Sequence, residues 1–387
     1  MFNTSEGVSF KLIDPDDPGL LYCGRISRGI LGGRALVFPC SFVKWRFTGN
    51  YAAVDVGVER FYFDVYAGVI IDGKQYKVRL DNEGRNRIEL LSGGQAAAGL
   101  ERVDFDGSDL AAEDAGDETA ASDVHEIMFF KRQDACNVLE ICGIVLDGNA
   151  RLLKTAPLPG LKMEVYGDSV SAGEVSEAVD RVASPDPEGH EGIYSNSWFS
   201  FSWITARKLG AGLHDIAQGG IALLDGTGWF AGPDYIGMES IYDKSRYYPD
   251  IEHAEDWNFD EYIPDIVVLA FGQNDANPTD FMKEDYDGEK AVYWRERYRR
   301  FISLLREKYP SALIICATTI LNHDPSWDRA IEEAVQGAGD KKVLHFLFSN
   351  NGCGTPGHIR IPEAERMAQE LSSFIQEHIN TDKSSIG

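Results

Sequence analysis

Ser169 closes the pentad Val165-Tyr166-Gly167-Asp168-Ser169, where a β-branched and aromatic run from Met163 turns at a glycine and presents a small hydroxyl residue. The small residues after it, Val170-Ser171-Ala172-Gly173, suit a strand that ends in a tight turn. Nucleophilic acyl transfer needs such a hydroxyl, a base within reach, donors for the developing oxyanion and a group that orients the base. Ala217-Gln218-Gly219-Gly220-Ile221 follows an apolar run from His214, and either glycine can aim an N–H at a ligand with no side chain in the way. Gly272-Gln273-Asn274-Asp275 follows the run Ile266 to Phe271, and Asn274 offers a side-chain amide. His358, in Thr355-Pro356-Gly357-His358 just before a helical pattern, is the candidate base. Each of these residues ends a strand or opens a helix, which is where open α/β sheets keep their ligand crevice.

The elements around these residues fall into two halves. From about residue 160 onward, apolar strand-like runs (Met163 to Tyr166, His214 to Ala217, Ile266 to Phe271, Leu313 to Thr318, Val343 to Phe348) alternate with helical stretches. Tyr298, Phe301, Ile302 and Leu305 recur at helical spacing before Pro310, and a last helix runs from Pro362 through Ala364, Met367, Ala368, Leu371, Phe374 and Ile375. That alternation predicts an α/β fold with a doubly wound parallel sheet covered on both faces. Residues from about 7 to 153 read instead as short strands: Phe42 to Phe47, Ala52 to Val58, Phe61 to Tyr66, Val69 to Ile71, Tyr76 to Leu80, Arg87 to Leu91 and Ile127 to Lys131. Asp72-Gly73 is a hairpin-turn dipeptide, and the pattern predicts a β-sandwich. Leu158-Pro159-Gly160 is the expected linker, giving domains 1–157 and 158–387. Between Glu101 and Glu126, ten acidic residues face one arginine, which reads as a solvated hairpin loop, with a calcium or partner site as the alternative.

A chain of 387 residues with 43% hydrophobic and 26% charged residues has globular composition. Its net charge of −25 argues against nucleic acid or an anionic membrane as partner, since phosphate binding needs Lys and Arg in excess. No run approaches the roughly 18 apolar residues of a membrane span. The N-terminus shows no basic stretch followed by an apolar core. Six cysteines are scattered without metal-ligand spacing, mostly in apolar runs, so reduced thiols and a cytoplasmic location are expected. No cofactor or metal is expected. His323-Asp324 with Asp328 lacks a ligand pattern and reads as capping and turn residues.

Ser169, the Gly219-Gly220 pair, Asn274 and His358 occur in the order and spacing of the SGNH (GDSL-type) hydrolases, and Met367-Ala368 after the histidine is similar to that family's last block. With β-strands ahead of it, the whole chain resembles carbohydrate esterase family 2. Gly24-Arg25 and His125 to Lys131 are similar to that family's N-terminal domain. The resemblance implies an SGNH-type sheet preceded by an N-terminal, jelly-roll-like β-sandwich, and a serine esterase acting on acetylated oligosaccharides from plant polysaccharides, of xylan or mannan type. It further implies that Ser169 attacks the ester, that His358 takes its proton, and that Ser169 N–H, Gly220 N–H and Asn274 hold the oxyanion. Gly220 is preferred over Gly219 because the family's second block usually has a small residue before the oxyanion glycine.

One part of the pattern is missing. The family commonly carries an aspartate two or three residues before the histidine, where this chain has Pro356 and Thr355. A Ser-His dyad is therefore expected, with a main-chain oxygen from Cys353 to Thr355 orienting His358 and Thr355 Oγ as the alternative. Asp168 and Asp275 read as turn and loop residues. Trp229, shortly after the oxyanion glycine, is the candidate sugar-stacking residue, ahead of Trp257, Trp294 and Trp327. Two other functions fit the same residues: another acyl hydrolase, such as a thioesterase or lipase, and a catalytically impaired carbohydrate-binding protein. An exposed strand edge in the β half would be compatible with a homo-oligomer.

Overall fold

The computed structural model describes residues 2–3, 9–103 and 123–384, so most of the acidic stretch lies outside the described residues. The chain divides into two compact units. One runs to Pro157, apart from Phe38–Cys40 and Gln133–Ala135; these two short segments join the other unit, which continues from Leu158.

In the first unit the described strands form two antiparallel sheets. One is built around Ser9–Ile13, Asn137–Asp147, Ala52–Arg60 and Gly84–Ser92, the other around Lys74–Arg79, Tyr66–Ile71, Val124–Lys131 and Phe42–Thr48. Period-two alternation buries Val43, Trp45 and Phe47 and leaves Lys44 and Arg46 partly exposed. These inward residues share one hydrophobic cluster with Val54, Val56, Leu139 and Ile141 of the other sheet. Asp72 and Gly73 both take positive φ, 48° and 77°, and close the hairpin that pairs Ile71 with Lys74.

Two details depart from expectation. Phe61 to Tyr66 is not a strand throughout, because Phe63 turns left-handed at φ 60° and pairing begins only at Tyr66. The strand Asn137–Asp147 shows no alternation because nearly every position in it is buried, and a bulge between Ile141 and Gly143 shifts its register.

The second unit holds a five-stranded parallel sheet. Across it the order is Ala211–Ala217, Leu161–Gly167, Ile266–Ala270, Leu313–Ala317, Val343–His345, which is 2-1-3-4-5 in chain order. Ile266–Ala270 is buried at every position, as a strand covered on both faces must be. The run predicted to reach Phe348 pairs only as far as His345. Helix Glu289–Lys308 turns Trp294, Tyr298, Phe301, Ile302 and Leu305 into the core, and helix Ile361–Ser384 buries Ala364, Met367, Ala368, Leu371 and Ile375. Gly167 pairs with Ala217 on one side and Ala270 on the other, so three strands end level. The strand order reverses at that point, and the loops that leave it carry Ser169, Gly220 and Asn274.

Candidate active site

Ser169 opens a single helical turn, Ser169–Ala172, directly after the strand. Gly167 makes the turn possible, since a Cβ there would lie 2.0 Å from Ser171 Oγ. Asp168 caps the turn by accepting from Val170 N–H at 3.0 Å, and Gly173 ends it at φ 75°. As the first residue of the turn, Ser169 has an N–H without an intrahelical acceptor. The second oxygen of Asp168 accepts from Gln273 and, at 3.2 Å, from Asn274 Nδ2. Burial pushes the Asp168 carboxyl up to about 7 against those donors. Asp168 is thus a turn residue, and it also ties the Ser169 loop to the Asn274 loop.

Asn274 Nδ2 also donates to Ile221 O at 2.9 Å, which fixes the amide beside the glycine loop. In that loop the two glycines are not equivalent. Gly219 N–H donates to Asp134 Oδ2 at 2.7 Å, and Gln218 Nε2 reaches the same oxygen at 2.6 Å. Among the described residues Gly220 N–H has no acceptor. Gly220 sits at φ +73°, and a Cβ on it would come 2.8 Å from Trp229 Cβ. Its carbonyl accepts from Trp229 N–H at 2.7 Å, so Trp229 is anchored to this glycine while the residue stays 65% exposed. Trp257, Trp294 and Trp327 are buried core residues. Asp275 accepts from the N–H groups of Leu223 and Leu224 at 2.8 and 3.2 Å, holding the glycine loop. His323 Nε2 lies 2.9 Å from Asp328 Oδ2 and its Nδ1 lies 2.7 Å from Leu321 O, within the loop network.

The orienter of His358 differs from expectation. His358 Nδ1 lies 2.6 Å from Asp186 Oδ2, and His358 N–H donates to Asp186 Oδ1 at 2.9 Å. A carboxylate therefore stands where a backbone oxygen from Cys353 to Thr355 was expected. Thr355 Oγ1, the alternative, instead accepts from Gly357 N–H at 3.3 Å. The correction has a steric basis: a Cβ on Gly357 would meet Ser184 O at 2.5 Å and Asp186 Oδ1 at 2.9 Å, so only glycine admits the Asp186 loop. Arg360, fully buried, donates to Asp186 Oδ1 at 2.8 Å and to the His358 carbonyl. Glu363 accepts from Ala183 N–H at 3.1 Å and from Arg360 N–H at 2.9 Å, which pins that loop to the last helix. On the other side of the ring, Nε2 lies 3.7 Å from Glu174 Oε2. Glu174 N–H donates to Ser169 O at 2.9 Å, so the carboxylate facing His358 Nε2 belongs to the Ser169 turn.

Burial alone would lower the His358 imidazole, but Glu174, Asp186 and Asp168 outweigh it and hold the ring up at about 9. Burial likewise opposes Asp186, yet its bonds from His358 and Arg360 keep the carboxyl well below the usual carboxylate range. Burial pushes the Glu174 carboxyl up, with Asp134 and Asp186 adding to the shift. The arrangement contains a hydroxyl on a turn, an Asp-His pair, and amide donors at the end of three aligned strands, the parts required for acyl transfer.

No protein-family profile matches the chain. Among proteins of known sequence it is 27% identical over 376 residues to the cellulase/esterase CelE of Acetivibrio thermocellus, covering 94% of this chain and 40% of that protein. It is 28% identical over 231 residues to an acetylxylan esterase / glucomannan deacetylase of Cellvibrio japonicus, covering 59% of this chain and 60% of that protein. The chain thus spans less than two thirds of either relative. A family two carbohydrate esterase from Cellvibrio japonicus superposes with a TM-score of 0.74 at 22% identity, covering 96% of this chain and 98% of the other. One from Clostridium thermocellum in complex with cellohexaose superposes with a TM-score of 0.72 at 23% identity, covering 94% and 99%. The protein shares the fold of these esterases and resembles their family over nearly its whole length.

Proposed function

We propose that the protein is a serine esterase that removes O-acetyl groups from oligosaccharides derived from plant polysaccharides, of xylan or mannan type, by way of an acyl-enzyme. The observation that carries this reading is the Asp186–His358 pair set over the turn that bears Ser169, with Gly220 N–H left without an acceptor beside it. Ser169 Oγ attacks the acetyl carbonyl as His358 Nε2 takes its proton. The proton then passes to the sugar oxygen as it leaves, and water repeats the sequence to release acetate. Ser169 N–H, Gly220 N–H and Asn274 Nδ2 stabilise the oxyanion. Asn274 does so with the proton that meets Asp168 only at 3.2 Å. Replacing Asn274 by Ala is expected to lower kcat by about two to three orders of magnitude. Steady-state rates on p-nitrophenyl acetate check this.

The exposed Trp229 ring, tethered to the oxyanion glycine, is a platform for a sugar ring. Trp229→Ala is expected to raise KM for acetylated oligosaccharides by roughly two- to tenfold while sparing p-nitrophenyl acetate, since only the larger substrate reaches the platform. The two packed sheets of the first unit are read as the β-sandwich accessory domain of this family. All six cysteines are free thiols, which supports work inside the cell on imported oligomers.

Acetate release from acetylated xylo- and manno-oligosaccharides, run beside fluorophosphonate labelling of Ser169, tests the assignment. Release together with labelling is the expected result. Labelling without release would move the protein to another class of acyl hydrolase. Glycan binding without labelling would make it a binding protein.

A further inference from the structure

Among the described residues Ser169 Oγ makes no hydrogen bond, and the charged partner facing His358 Nε2 is Glu174, at 3.7 Å. Nε2 is the nitrogen that must receive the serine proton, and Nδ1 is already committed to Asp186 at 2.6 Å. The chain delivers Glu174 to this spot by construction. Gly173 turns left-handed after one helical turn, where a Cβ would strike Asn196 O at 2.6 Å, and this brings the next residue back over the turn. Gly219 leaves the room: its Cβ would sit 2.9 Å from Glu174 Oε2 and 2.7 Å from Asp134 Oδ2. The Glu174 side chain keeps 16% of its surface exposed, so an entering ligand can reach it.

We propose that Glu174 is a positioning residue that occupies the Nε2 side of His358 in the free enzyme, and that this ion pair must be broken before Ser169 can be deprotonated. The inference rests on the reading of Ser169 and His358 as nucleophile and base. An imidazolium paired through both nitrogens has no lone pair for the serine proton. The Nε2 proton leaves to water as the pH rises, and Nε2 then accepts from Ser169 Oγ. The charged and titratable groups that act on the ring are Asp186, bound by Arg360, on the Nδ1 side, Glu174 on the Nε2 side, and Asp168, with Asp134 acting on Glu174 in turn. His190 completes the set and is itself held low by burial. Of these, Glu174 is the carboxylate placed to compete with the serine hydroxyl.

Two readouts test the proposal on wild type and Glu174→Gln: the NMR titration of His358 Hε1, assigned by its loss in His358→Asn, and the pH dependence of kcat/KM on p-nitrophenyl acetate. In wild type, kcat/KM should fall about tenfold per unit as pH drops below the His358 midpoint, because the base must be neutral. In Glu174→Gln both the titration midpoint and the acid limb should move down by about one unit or more, since one attracting charge has been removed. Glu174→Asp, which keeps the charge on a shorter stem, should fall between the two. Unchanged midpoints in Glu174→Gln would overturn the proposal. A shifted titration in a protein that hydrolyses no ester at any pH would uphold the ion pair and overturn the esterase reading instead.

Discussion

Ser169→Ala and His358→Ala will each lower kcat by about six orders of magnitude, and the double variant will fall no further, because nucleophile and base act as one unit. Without the hydroxyl the base has nothing to deprotonate, and without the base the hydroxyl is inert at neutral pH. The residual rate should come from the oxyanion donors alone. Ser169 N–H, Gly220 N–H and Asn274 keep their anchors in both variants, because Asp168 accepts from Val170 N–H, Gly220 O from Trp229 N–H and Ile221 O from Asn274 Nδ2. KM for acetylated oligosaccharides should therefore change little. Initial rates on purified variants, with active-site titration to exclude carried-over wild type, decide the matter. A double variant slower by the product of the two single losses would show that Ser169 and His358 act independently, and the mechanism would be wrong.

The second large effect belongs to a residue on another loop. Asp186→Asn is expected to cost about four orders of magnitude in kcat, the size of loss seen when the triad aspartate of serine proteases becomes an amide and the histidine tautomer is lost. Thr355→Ala should be nearly silent by comparison, since Thr355 Oγ1 serves Gly357 N–H rather than the imidazole. Parallel rates for the two variants test this directly. Equal, modest losses would restore the dyad with a backbone orienter.

Stability carries a matching signature. Asp186 is lowered below its ordinary 3.8, so its contribution is present above that pH and fades as pH falls toward the folded value. His358 is raised from 6.5 to about 9, so its contribution is full below 6.5 and is lost as pH climbs through about 9. The site is consequently best held together where its base is still protonated, and loses part of that support as activity rises.

The residues legible from sequence share one property: each closes a strand of the parallel sheet or precedes the last helix. A period change and a turn are enough to find Ser169, the glycine pair, Asn274 and His358. Asp186 has no such address. It is separated from His358 by 172 positions, and only tertiary packing across Gly357 joins them. The one local hint is Ser184-Pro185-Asp186-Pro187, an acidic residue between two prolines that stiffen its backbone. Glu174 was hidden differently: its position depends on the left-handed corner at Gly173 and on space left by a glycine from another loop. In the first unit, short alternating strands were readable, but Asn137–Asp147 was not, because nearly all of it is buried and no exposed face marks a two-residue period.

The short segment Gln133–Ala135 also bears on how this protein can be divided. Asp134 precedes Leu158 in the chain, yet it is the acceptor that occupies Gly219 N–H and Gln218. A fragment beginning at the linker would keep every residue that performs chemistry and still lack the side chain that decides which of two adjacent glycines stays open. A cut at the linker is therefore expected to leave Gly219 N–H open beside Gly220 N–H. The loop of Gly219 and Gly220 is thus fastened by a segment that the ribosome makes before it makes Ser169.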